Sequence, residues 1–539
     1  MKLIKKIFYS FTSREKKCFI VAFIVFFLSC FTSVGLAIKD KSQVVPVEGG
    51  SFKEGIIGQP IAINPVISSN PVDEDISALV YSRLFPMLQS YDVSQGGRLY
   101  TLKLKEGLKW DDGEPLTSDD VVFTINAIQD SESRSPLAKN FQGAIVERQS
   151  QIQIQLTLPA PYVFFLDNIK NLSIIPRHIF GSIPFANLRL SSYNLEPVGS
   201  GPYRFKDFSK RKDGFITEYH LVRNESFFGQ KPFIKDFYFE FFENQDGVLS
   251  ALKYRRIQGF GSLNPLDAKI ESLGSVAVNK IPMPRYYAVF FNQNNNSLLK
   301  EKKFRLALSY AVDRNRIIKE VFDGEAKEVY GPFLNSFQNE ESIESGYKPD
   351  EAKALFNDVV LNKKIDKAEL KIIVPKVDFL EKAAQIIKEE WLVLGVDRVE
   401  IISLNPKEML NEAVKLNNYE MILFGNISEN PNDLFPFWHS SQRFYPGLNL
   451  ALYKNPEVDS LIETIRESKD SDESRLGEDL KNLESLILED APAIFLFSLS
   501  YTYIHDKILE GFGANQIIEA SDRFQGISDW NLLRARVIK

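Results

Sequence analysis

A mixed α/β protein with more than one packed lobe is predicted by two features of the sequence. Short runs of strand-forming residues alternate along the chain with helical patterns, which is typical of α/β architecture. The chain of 539 residues is also longer than one hydrophobic core usually serves, so two to three packed units are expected. Its 42 Phe and 20 Tyr exclude a disordered chain, because disordered segments are poor in aromatic residues.

Capping signals mark the helix boundaries. Thr117 opens a capping box, and the residues after it place apolar side chains on one face. Asn455, followed by a proline, supplies a cap for a second amphipathic segment. Residues 302–323 form a third helical segment, within which Asp313 is expected to cap a second helix. Gly324, which follows this segment, is expected to end that helix.

Strand patterns recur through the body of the chain. They combine β-branched and aromatic residues, and the first of them, IQIQLTL, alternates strictly between apolar and polar positions. The predicted strands are 152–158, 236–242, 286–291, 370–374 and 493–499.

Charge is distributed unevenly between the N-terminus and the body. Residues 1–38 carry six basic residues against Glu15, a net charge of +5. Subtracting these from the 65 basic and 71 acidic residues of the whole chain leaves 59 and 70, so the body carries −11. An acidic body argues against a nucleic-acid partner, because phosphate binding needs clusters of Lys and Arg.

An uncharged segment of 21 residues, 18–38, follows the basic flank 1–17 and is long enough to cross a bilayer. By the positive-inside rule the flank stays in the cytoplasm and the body is exported. We expect the segment to remain as an anchor. The alternatives are cleavage before Cys30, which would then carry lipid, and cleavage after Ala37. Residues 39–50 are interpreted as a tether.

The sequence contains no signature of catalysis or of a metal site. Both cysteines, Cys18 and Cys30, lie in the N-terminal segment, so the body has neither a disulfide nor a Cys-ligated metal. A GxSxG elbow and a P-loop are absent, and Ser200 in VGSGPY lacks the elbow spacing. None of the four histidines belongs to a metal-binding motif; they are His178, His220, His439 and His505. We therefore expect no enzymatic activity and no cofactor.

Several motifs occur in a characteristic order along the body. They are LKLKEGLKWDDGEPLTSDDVVFT at 102–124, IPRHIF at 175–180, PVGSGPYRF at 197–205, RNESFFGQKP at 223–232, KFRLALSYAVDRNRIIKEVFDG at 303–324, and 431–459, which ends in GLNLALYKNPEVD. Together they resemble the large solute-binding proteins of bacterial ABC importers, the family of oligopeptide-, dipeptide- and nickel-binding receptors. Glu225 and Phe228 depart from the pattern, where proline and tryptophan are usual. These motifs identify the fold better than the site.

The resemblance implies a two-lobe periplasmic-binding-protein-like fold of type II with an extra subdomain, and a solute that binds in the cleft between the lobes. Closure about a hinge would bury the solute. A membrane permease and a separate ATPase are the implied partners of a monomeric receptor. The implied ranges are 48–83, 191–282 and 500–539 for lobe I, 84–190 for the extra subdomain, and 283–499 for lobe III.

The resemblance also implies where a peptide would lie. The loop after Pro65, around Ser69 and Asn70, matches the segment that lines the peptide. Residues 422–438 match the loop that supplies a carboxylate for the peptide's α-ammonium, a charge-assisted bond.

The second loop departs from the family pattern. The amine-binding Asp falls at about Asn426 or Ile427, and Asn430 replaces the Asp that precedes a proline. Glu429 and Asp433 are candidates to substitute, with ordinary exposed loop acids as the alternative. Trp438 either shapes a pocket or belongs to the core.

The sequence is compatible with three functional interpretations. The first is peptide import. The second is a sensory or envelope receptor of the same fold without transport, or a receptor for a non-peptide solute such as a sugar or metal chelate. The third, an envelope enzyme or chaperone, is disfavoured by the absence of a catalytic set.

Overall fold

The computed structural model of the chain describes residues 11–40, 42–263, 273–334, 346–427, 430–468 and 473–538. Within these ranges the strands form a 12-stranded mixed sheet, a four-stranded antiparallel sheet and a two-stranded ribbon. The helices, in chain order, are α1 (Ser13–Asp40), α2 (Pro71–Val80), α3 (Leu84–Met87), α4 (Ser118–Gln129), α5 (Phe165–Asn171), α6 (Arg177–Phe180), α7 (Gln245–Lys253), α8 (Lys302–Tyr310), α9 (Arg314–Phe322), α10 (Pro349–Lys363), α11 (Asp378–Leu394), α12 (Pro406–Glu408), α13 (Phe435–Trp438), α14 (Pro456–Glu467) and α15 (Glu473–Asp490).

The large sheet consists of two halves joined by one long strand, β17. The half that we call the lobe I sheet contains β2 (Ser51–Ile57), β7 (Tyr203–Lys210), β8 (Ile216–Arg223), β9 (Asp236–Phe242), β10 (Gly259–Ser262) and β11 (Val276–Pro282). The half that we call the lobe III sheet contains β12 (Arg285–Phe291), β13 (Ala326–Glu328), β14 (Glu369–Pro375), β15 (Arg398–Leu404) and β16 (Met421–Ile427).

Strand β17 (Ala493–Asp506) crosses between the two halves. Its first part pairs with β12 and β13 up to Leu499, and its second part pairs with β11 and β10 from Ser500 onward. The chain also passes between the halves from β11 to β12. We expect a hinge at these two adjacent crossings, because a few residues can take up a change of angle between two packed halves.

The third sheet belongs to a subdomain that packs on lobe I. It has the order β3 (Leu88–Ser94), β4 (Leu99–Leu104), β6 (Gln153–Thr157) and β5 (Ile145–Ser150). Its buried residues, such as Leu102 and Leu156, belong to the same apolar cluster as Phe52 and Phe237 of the lobe I sheet. The subdomain and lobe I therefore share one continuous core, and we expect them to move together.

Helices cover both faces of the lobe III sheet, as expected for a largely buried mixed sheet. One face packs against α8 to α11 through residues such as Phe304 and Trp391. The other face packs against α13 to α15 through Trp438, Ile462 and Ile487.

The capping predictions are confirmed. The side chain of Thr117 accepts a hydrogen bond from the backbone N–H of Asp119 in the first turn of α4. The carboxylate of Asp120 accepts a hydrogen bond from the backbone N–H of Thr117. Asn455 caps α14 and Asp313 caps α9. Helix α9 ends at Phe322, and its C-cap Asp323 lies in the left-handed region at φ 51°. The N–H of Gly324 donates a hydrogen bond to the carbonyl of Ile318.

The N-terminal helix α1 includes the predicted apolar segment. Residues Ser13–Ser33 have a mean hydropathy of 1.8 and are not covered by the body of the protein, so this helix has the length and composition to cross a membrane. The region interpreted as a tether contains strand β1 (Ser42–Val47), which pairs antiparallel with β18 (Leu533–Ile538). The C-terminal strand therefore holds the segment that follows the apolar helix.

Candidate functional site

An unpaired strand edge lies at the end of the lobe III sheet nearest the crossings. Strand β16 pairs along its whole length with β12, from Met421 opposite Phe291 to Ile427 opposite Arg285. On its other side β14 pairs with Met421 and Ile422 alone. From 423 to 427 this second edge has no strand partner among the described residues. Such an edge presents backbone groups that can bind an extended peptide as an additional strand.

Asn426 lies on this strand with its side chain buried, at 4% exposure. Its Nδ2 donates a 3.0 Å hydrogen bond to the hydroxyl of Tyr286, the residue opposite it on β12. The Tyr286 ring packs against Phe495 on the face covered by α13 to α15. The amide of Asn426 is thus used inside lobe III. Glu429, the predicted substitute for the amine-binding carboxylate, lies outside the described residues.

Asp433 is buried, at 5% exposure, and its carboxylate is already engaged. The hydroxyl of Tyr162 donates to Asp433 Oδ2 at 2.7 Å, and the N–H of Phe435 donates to Oδ1 at 3.1 Å. Arg466 Nε lies 3.5 Å from Oδ2 and pairs with its charge. Burial and the neighbouring charge of Asp433 raise the pKa of Tyr162, so the hydroxyl keeps its proton and acts as the donor.

Arg466 joins these groups into one cluster. Its guanidinium lies 4.5 Å from the ring centroid of Tyr162 and 4.2 Å from that of Phe435, a double cation–π arrangement. Its carbonyl accepts a 2.8 Å hydrogen bond from the N–H of Val163. Tyr162 and Val163 belong to the subdomain segment and the other residues to lobe III. We call Tyr162, Asp433, Phe435 and Arg466 the interlobe latch.

Asn430 adds a second polar contact between the same two parts of the molecule. Its Nδ2 donates a 2.7 Å hydrogen bond to Asp167 Oδ2 on α5. Its Oδ1 accepts from the N–H of Asn432, which shapes the turn. The loop after β16 thus contacts the subdomain through both Asn430 and Asp433.

Trp438 lies in the core of lobe III and is fully buried. Its ring packs near Phe290 at 6.1 Å, Phe495 at 5.7 Å and Tyr453 at 6.0 Å between centroids. All three neighbours belong to the same buried core cluster as Trp438, so its ring contributes to the packing of lobe III. The adjacent His439 is held locally by Ser441 Oγ at 2.8 Å and Glu463 Oε1 at 3.2 Å.

Ser69 and Asn70 lie at the start of α2, on the lobe I side. Asn70 is the N-cap of this helix, and its Oδ1 accepts a 3.0 Å hydrogen bond from the N–H of Asp73. Asp73 in turn accepts from the N–H groups of Ile61 and Ala62, at 2.7 and 2.9 Å, so the preceding loop is folded back on the helix. Ser69 is exposed. The structure brings Asn430 and Asp433 into one contact region and places Ser69 and Asn70 in the other lobe.

A buried ionic cluster fixes the position of α2. Arg523 binds Asp75 through two nitrogens, at 2.6 and 2.8 Å, and binds Glu54 Oε1 at 3.0 Å. Tyr503 on β17 donates to Glu54 Oε2 at 2.9 Å. Burial raises the pKa of Glu54 to about 7, against the opposing charge of Arg523. The cluster joins β2, β17, α2 and the C-terminal segment beside the hinge.

The half-buried Glu74, on the same helix, also titrates abnormally. Burial of its carboxyl group is the main cause, and the nearby negative charges of Glu519, Asp75 and Asp73 add to it. Together they raise the pKa of Glu74 to about 7.

Sequence reasoning missed the partners of the predicted loop. Tyr162 and Arg466 stand in no recognisable motif, and Tyr162 is separated from Asp433 by 271 residues. Among the described residues no group of three or more His, Cys, Asp or Glu side chains is arranged to hold a metal ion.

Residues 86–444 match the family model described as "Bacterial extracellular solute-binding proteins, family 5 Middle". The chain belongs to this family. It is 26% identical over 545 residues to the oligopeptide-binding protein AppA of Bacillus subtilis, an alignment that covers 93% of this chain and 96% of the relative.

Solved structures agree with this assignment. The ABC transporter substrate-binding protein CtaP of Listeria monocytogenes superposes with a TM-score of 0.78 at 27% identity, over 90% of this chain and 99% of that one. The nonapeptide complex of B. subtilis AppA superposes with a TM-score of 0.71 at 23% identity, over 91% and 100%, and shares the fold. The predicted two-lobe fold of the periplasmic-binding-protein type is thereby confirmed.

Proposed function

We propose that this protein is an extracytoplasmic receptor that binds peptides between lobe I and lobe III and delivers them to an ABC permease. The observation that carries the proposal is the unpaired edge of β16 from 423 to 427, at the end of the sheet where the chain crosses between lobes. The names of the relatives support it, since AppA of B. subtilis is an oligopeptide-binding protein and CtaP a substrate-binding protein of an ABC transporter.

Peptide binding at this edge is sequence-tolerant for a physical reason. Hydrogen bonds to backbone groups are the same for every residue, so they supply affinity without selecting side chains. Ser69 and Asn70 would line the opposite side of the cleft, and Asn426 and Asn430 would flank the edge. Asp433 and Trp438 would act indirectly. Asp433 would act through the latch, and Trp438 would act by packing against β12 and β17 through Phe290 and Phe495.

Closure then follows from the two crossings and the latch. The crossings let lobe I and its subdomain rotate against lobe III, and the latch forms when Tyr162 meets Asp433 and Arg466. A peptide that contacts both lobes favours this closed state by its differential affinity. The permease would recognise the closed form. A separate subunit would supply ATP hydrolysis, because the sequence has no P-loop.

The receptor would act as a monomer held at the outer face of the membrane. Helix α1 would serve as an uncleaved anchor, or Cys30 would carry a lipid after cleavage. We assign the protein no catalytic activity and no cofactor, since solute binding and closure need neither.

Hydrogen exchange on the full-length chain in detergent tests the proposal. Native mass spectrometry first identifies peptides that co-purify, and the protein is then compared before and after they are removed. Successive amides of β16 point to opposite sides of the strand. We expect the amides of 423–427 that face away from β12 to be protected by peptide, and those bonded to β12 to serve as the internal control.

Two results would contradict the proposal. One is the absence of peptide binding by any of the recovered or synthetic peptides. The other is peptide binding that leaves the exchange of every outward amide of β16 unchanged.

A further inference from the structure

The two-stranded ribbon of β1 and β18 has two unlike faces. Directly opposite residues of an antiparallel pair point to the same side, and successive residues of a strand point to opposite sides. The register places Val45 opposite Ala535, and this gathers the apolar residues on one face. That face contains Gln43, Val45, Val47, Leu533, Ala535 and Val537. The other face contains Ser42, Val44, Pro46, Arg534 and Arg536.

The apolar face of the ribbon is uncovered within the part of the chain that the structure describes. Leu533 and Val537 are 45% and 40% exposed, and Ala535 between them is exposed as well. None of the five apolar residues of this face belongs to a hydrophobic cluster of the described residues. A two-stranded ribbon alone is only marginally stable in water and needs a further layer to pack on. We therefore expect the apolar face to meet a partner.

Contacts with lobe I hold the base of the ribbon in place. Two residues after β1, the N–H of Gly49 donates a 2.7 Å hydrogen bond to the carbonyl of Phe233. Just before β18, Asn531 exchanges backbone hydrogen bonds of 2.9 and 3.0 Å with Glu510. Arg534 on β18 also pairs with the carboxylate of Glu510. Both strands thus leave lobe I from fixed points, so we expect the ribbon and lobe I to move as one body.

The opposite end of the ribbon adjoins the proposed membrane anchor. Helix α1 ends at Asp40 and β1 begins at Ser42, so at most about 7 Å separates the Cα atoms of these two residues. The charge-free residues 18–38 match the thickness of the hydrocarbon core, and each headgroup layer is about 5–7 Å deep. If α1 spans the bilayer, the start of β1 therefore lies in the headgroup layer or next to it.

We propose that the apolar face of the β1–β18 ribbon lies on the outer surface of the lipid bilayer. An interfacial amphipathic helix is arranged in the same way, with its apolar side in the headgroup boundary and Lys or Arg on its other side. The ribbon has only two strands, and their outer edges would lack hydrogen-bond partners inside the hydrocarbon, so it stays at the interface. This inference rests on the proposed function, in which α1 is retained as an anchor.

A ribbon seated on lipid would fix the orientation of lobe I to the membrane. A flexible tether lets the attached domain sample many orientations. The ribbon instead joins the anchor to lobe I through paired strands and fixed ends. Lobe III would then be the part that moves when the cleft closes.

Quenching of an added tryptophan by brominated lipid tests the position of the ribbon. The four native Trp side chains are fully buried and give a common background. Val537→Trp places an indole on the apolar face, and Val44→Trp places one on the opposite face. Val44 pairs with Arg536, the neighbour of Val537, so the two probes lie at nearly the same distance from α1. Their exposure is also similar, at 40% for Val537 and 50% for Val44.

Each variant of the full-length protein is reconstituted into phosphatidylcholine nanodiscs, with lipid that is either unmodified or brominated near the headgroup end of its acyl chains. We expect brominated lipid to quench the added emission of V537W about twofold or more over that of V44W, because the apolar side of an interfacial segment enters the bilayer by about 5–10 Å. Thermal unfolding checks that each variant folds. Leu533→Trp, on the same face, replaces V537W if that variant is unstable.

The outcomes distinguish the ribbon, the anchor and the receptor. If the protein enters nanodiscs but brominated lipid quenches V537W and V44W equally, the ribbon is not seated on lipid and the anchor is retained. If the emission of V537W is blue-shifted without quenching and each nanodisc holds two copies, a second copy covers the apolar face and the lipid assignment is wrong. If the full-length chain neither enters nanodiscs nor floats with liposomes, the anchor and the role of the ribbon fail together. Peptide binding by the same preparation tests the receptor independently.

Discussion

The hydroxyl of Tyr162 donates a 2.7 Å hydrogen bond to the carboxylate of Asp433, and this bond joins the subdomain to lobe III. The subdomain shares its core with lobe I, so the bond connects the two parts that we propose to move about the hinge. Arg466 lies between the rings of Tyr162 and Phe435 and balances the charge of Asp433. We expect this contact to be lost if the lobes separate about the proposed hinge.

Replacement of Tyr162 by Phe should speed the release of bound peptide. The change removes one hydrogen bond to a buried carboxylate and leaves the aromatic ring that packs on Arg466. The closed state should lose about 1–2 kcal/mol, and the dissociation rate should rise roughly 5- to 30-fold. Stopped-flow dissociation of a peptide recovered from the wild type measures the rate. Tyr91→Phe, at an exposed position of β3, is the matched control and should behave as wild type.

Replacement of Asp433 by Asn should weaken peptide binding without changing how the protein treats a blocked peptide. The carboxylate is used by Tyr162 and Arg466, so it is unavailable to a ligand ammonium. Acetylation of the peptide N-terminus should therefore change the dissociation constant by the same factor in the wild type and in D433N. Isothermal titration measures the dissociation constants of the acetylated and the free form of one peptide with the wild type and with D433N. The four values form a thermodynamic cycle that isolates the coupling between Asp433 and the peptide N-terminus. An acetylation effect that vanishes in D433N would restore the role of Asp433 as the amine-binding carboxylate.

Local signals predicted much of the secondary structure. The capping box at Thr117 predicted α4, and Asp313 correctly divided the 302–323 stretch into two helices. Strand 236–242 was predicted with its observed bounds. These predictions were correct because helix capping and the alternation of apolar and polar residues in a strand depend on residues a few positions apart.

Contacts between distant segments set the limit of prediction. The pairing of β1 with β18 joins residues that are almost the whole chain apart, so a strand was interpreted as a tether. Strand β17 runs through Asp506, well beyond the predicted end at 499, because its second part finds β10 and β11 in the other lobe. The engagement of Asp433 was equally hidden, since neither Tyr162 nor Arg466 is near it in sequence.

Trp438 should contribute to stability more than to recognition. Its ring is fully buried among Phe290, Tyr453 and Phe495, so truncation to Ala would leave a large cavity. We expect Trp438→Ala to lower the free energy of unfolding by about 3–5 kcal/mol, and Trp438→Phe by less. Chemical denaturation measures both. Trp438→Phe should retain the wild-type dissociation constant for peptide; a large loss of affinity in a well-folded W438F protein would place the indole in the binding site.

The stability of the protein should fall between pH 5 and pH 8, partly because of Glu74. Burial raises the pKa of this carboxyl to about 7, while an unfolded chain has a value of about 4.3. The neutral carboxyl is compatible with its surroundings, so its contribution is fully present below about pH 4.3 and is lost as the pH rises through 7.

Glu74→Gln should remove this contribution by keeping the group neutral at every pH. The difference in unfolding free energy between pH 5 and pH 8 should shrink by on the order of 1 kcal/mol, after allowance for solvent screening of a half-buried group. Thermal and urea unfolding at both pH values measure it, with Glu106→Gln, an exposed acid of the subdomain, as the control. If the unfolding free energies of E74Q and E106Q depend equally on pH, Glu74 is ionised in the folded protein. Another group near the first turn of α2 would then have to balance the charges of Glu519 and Asp75.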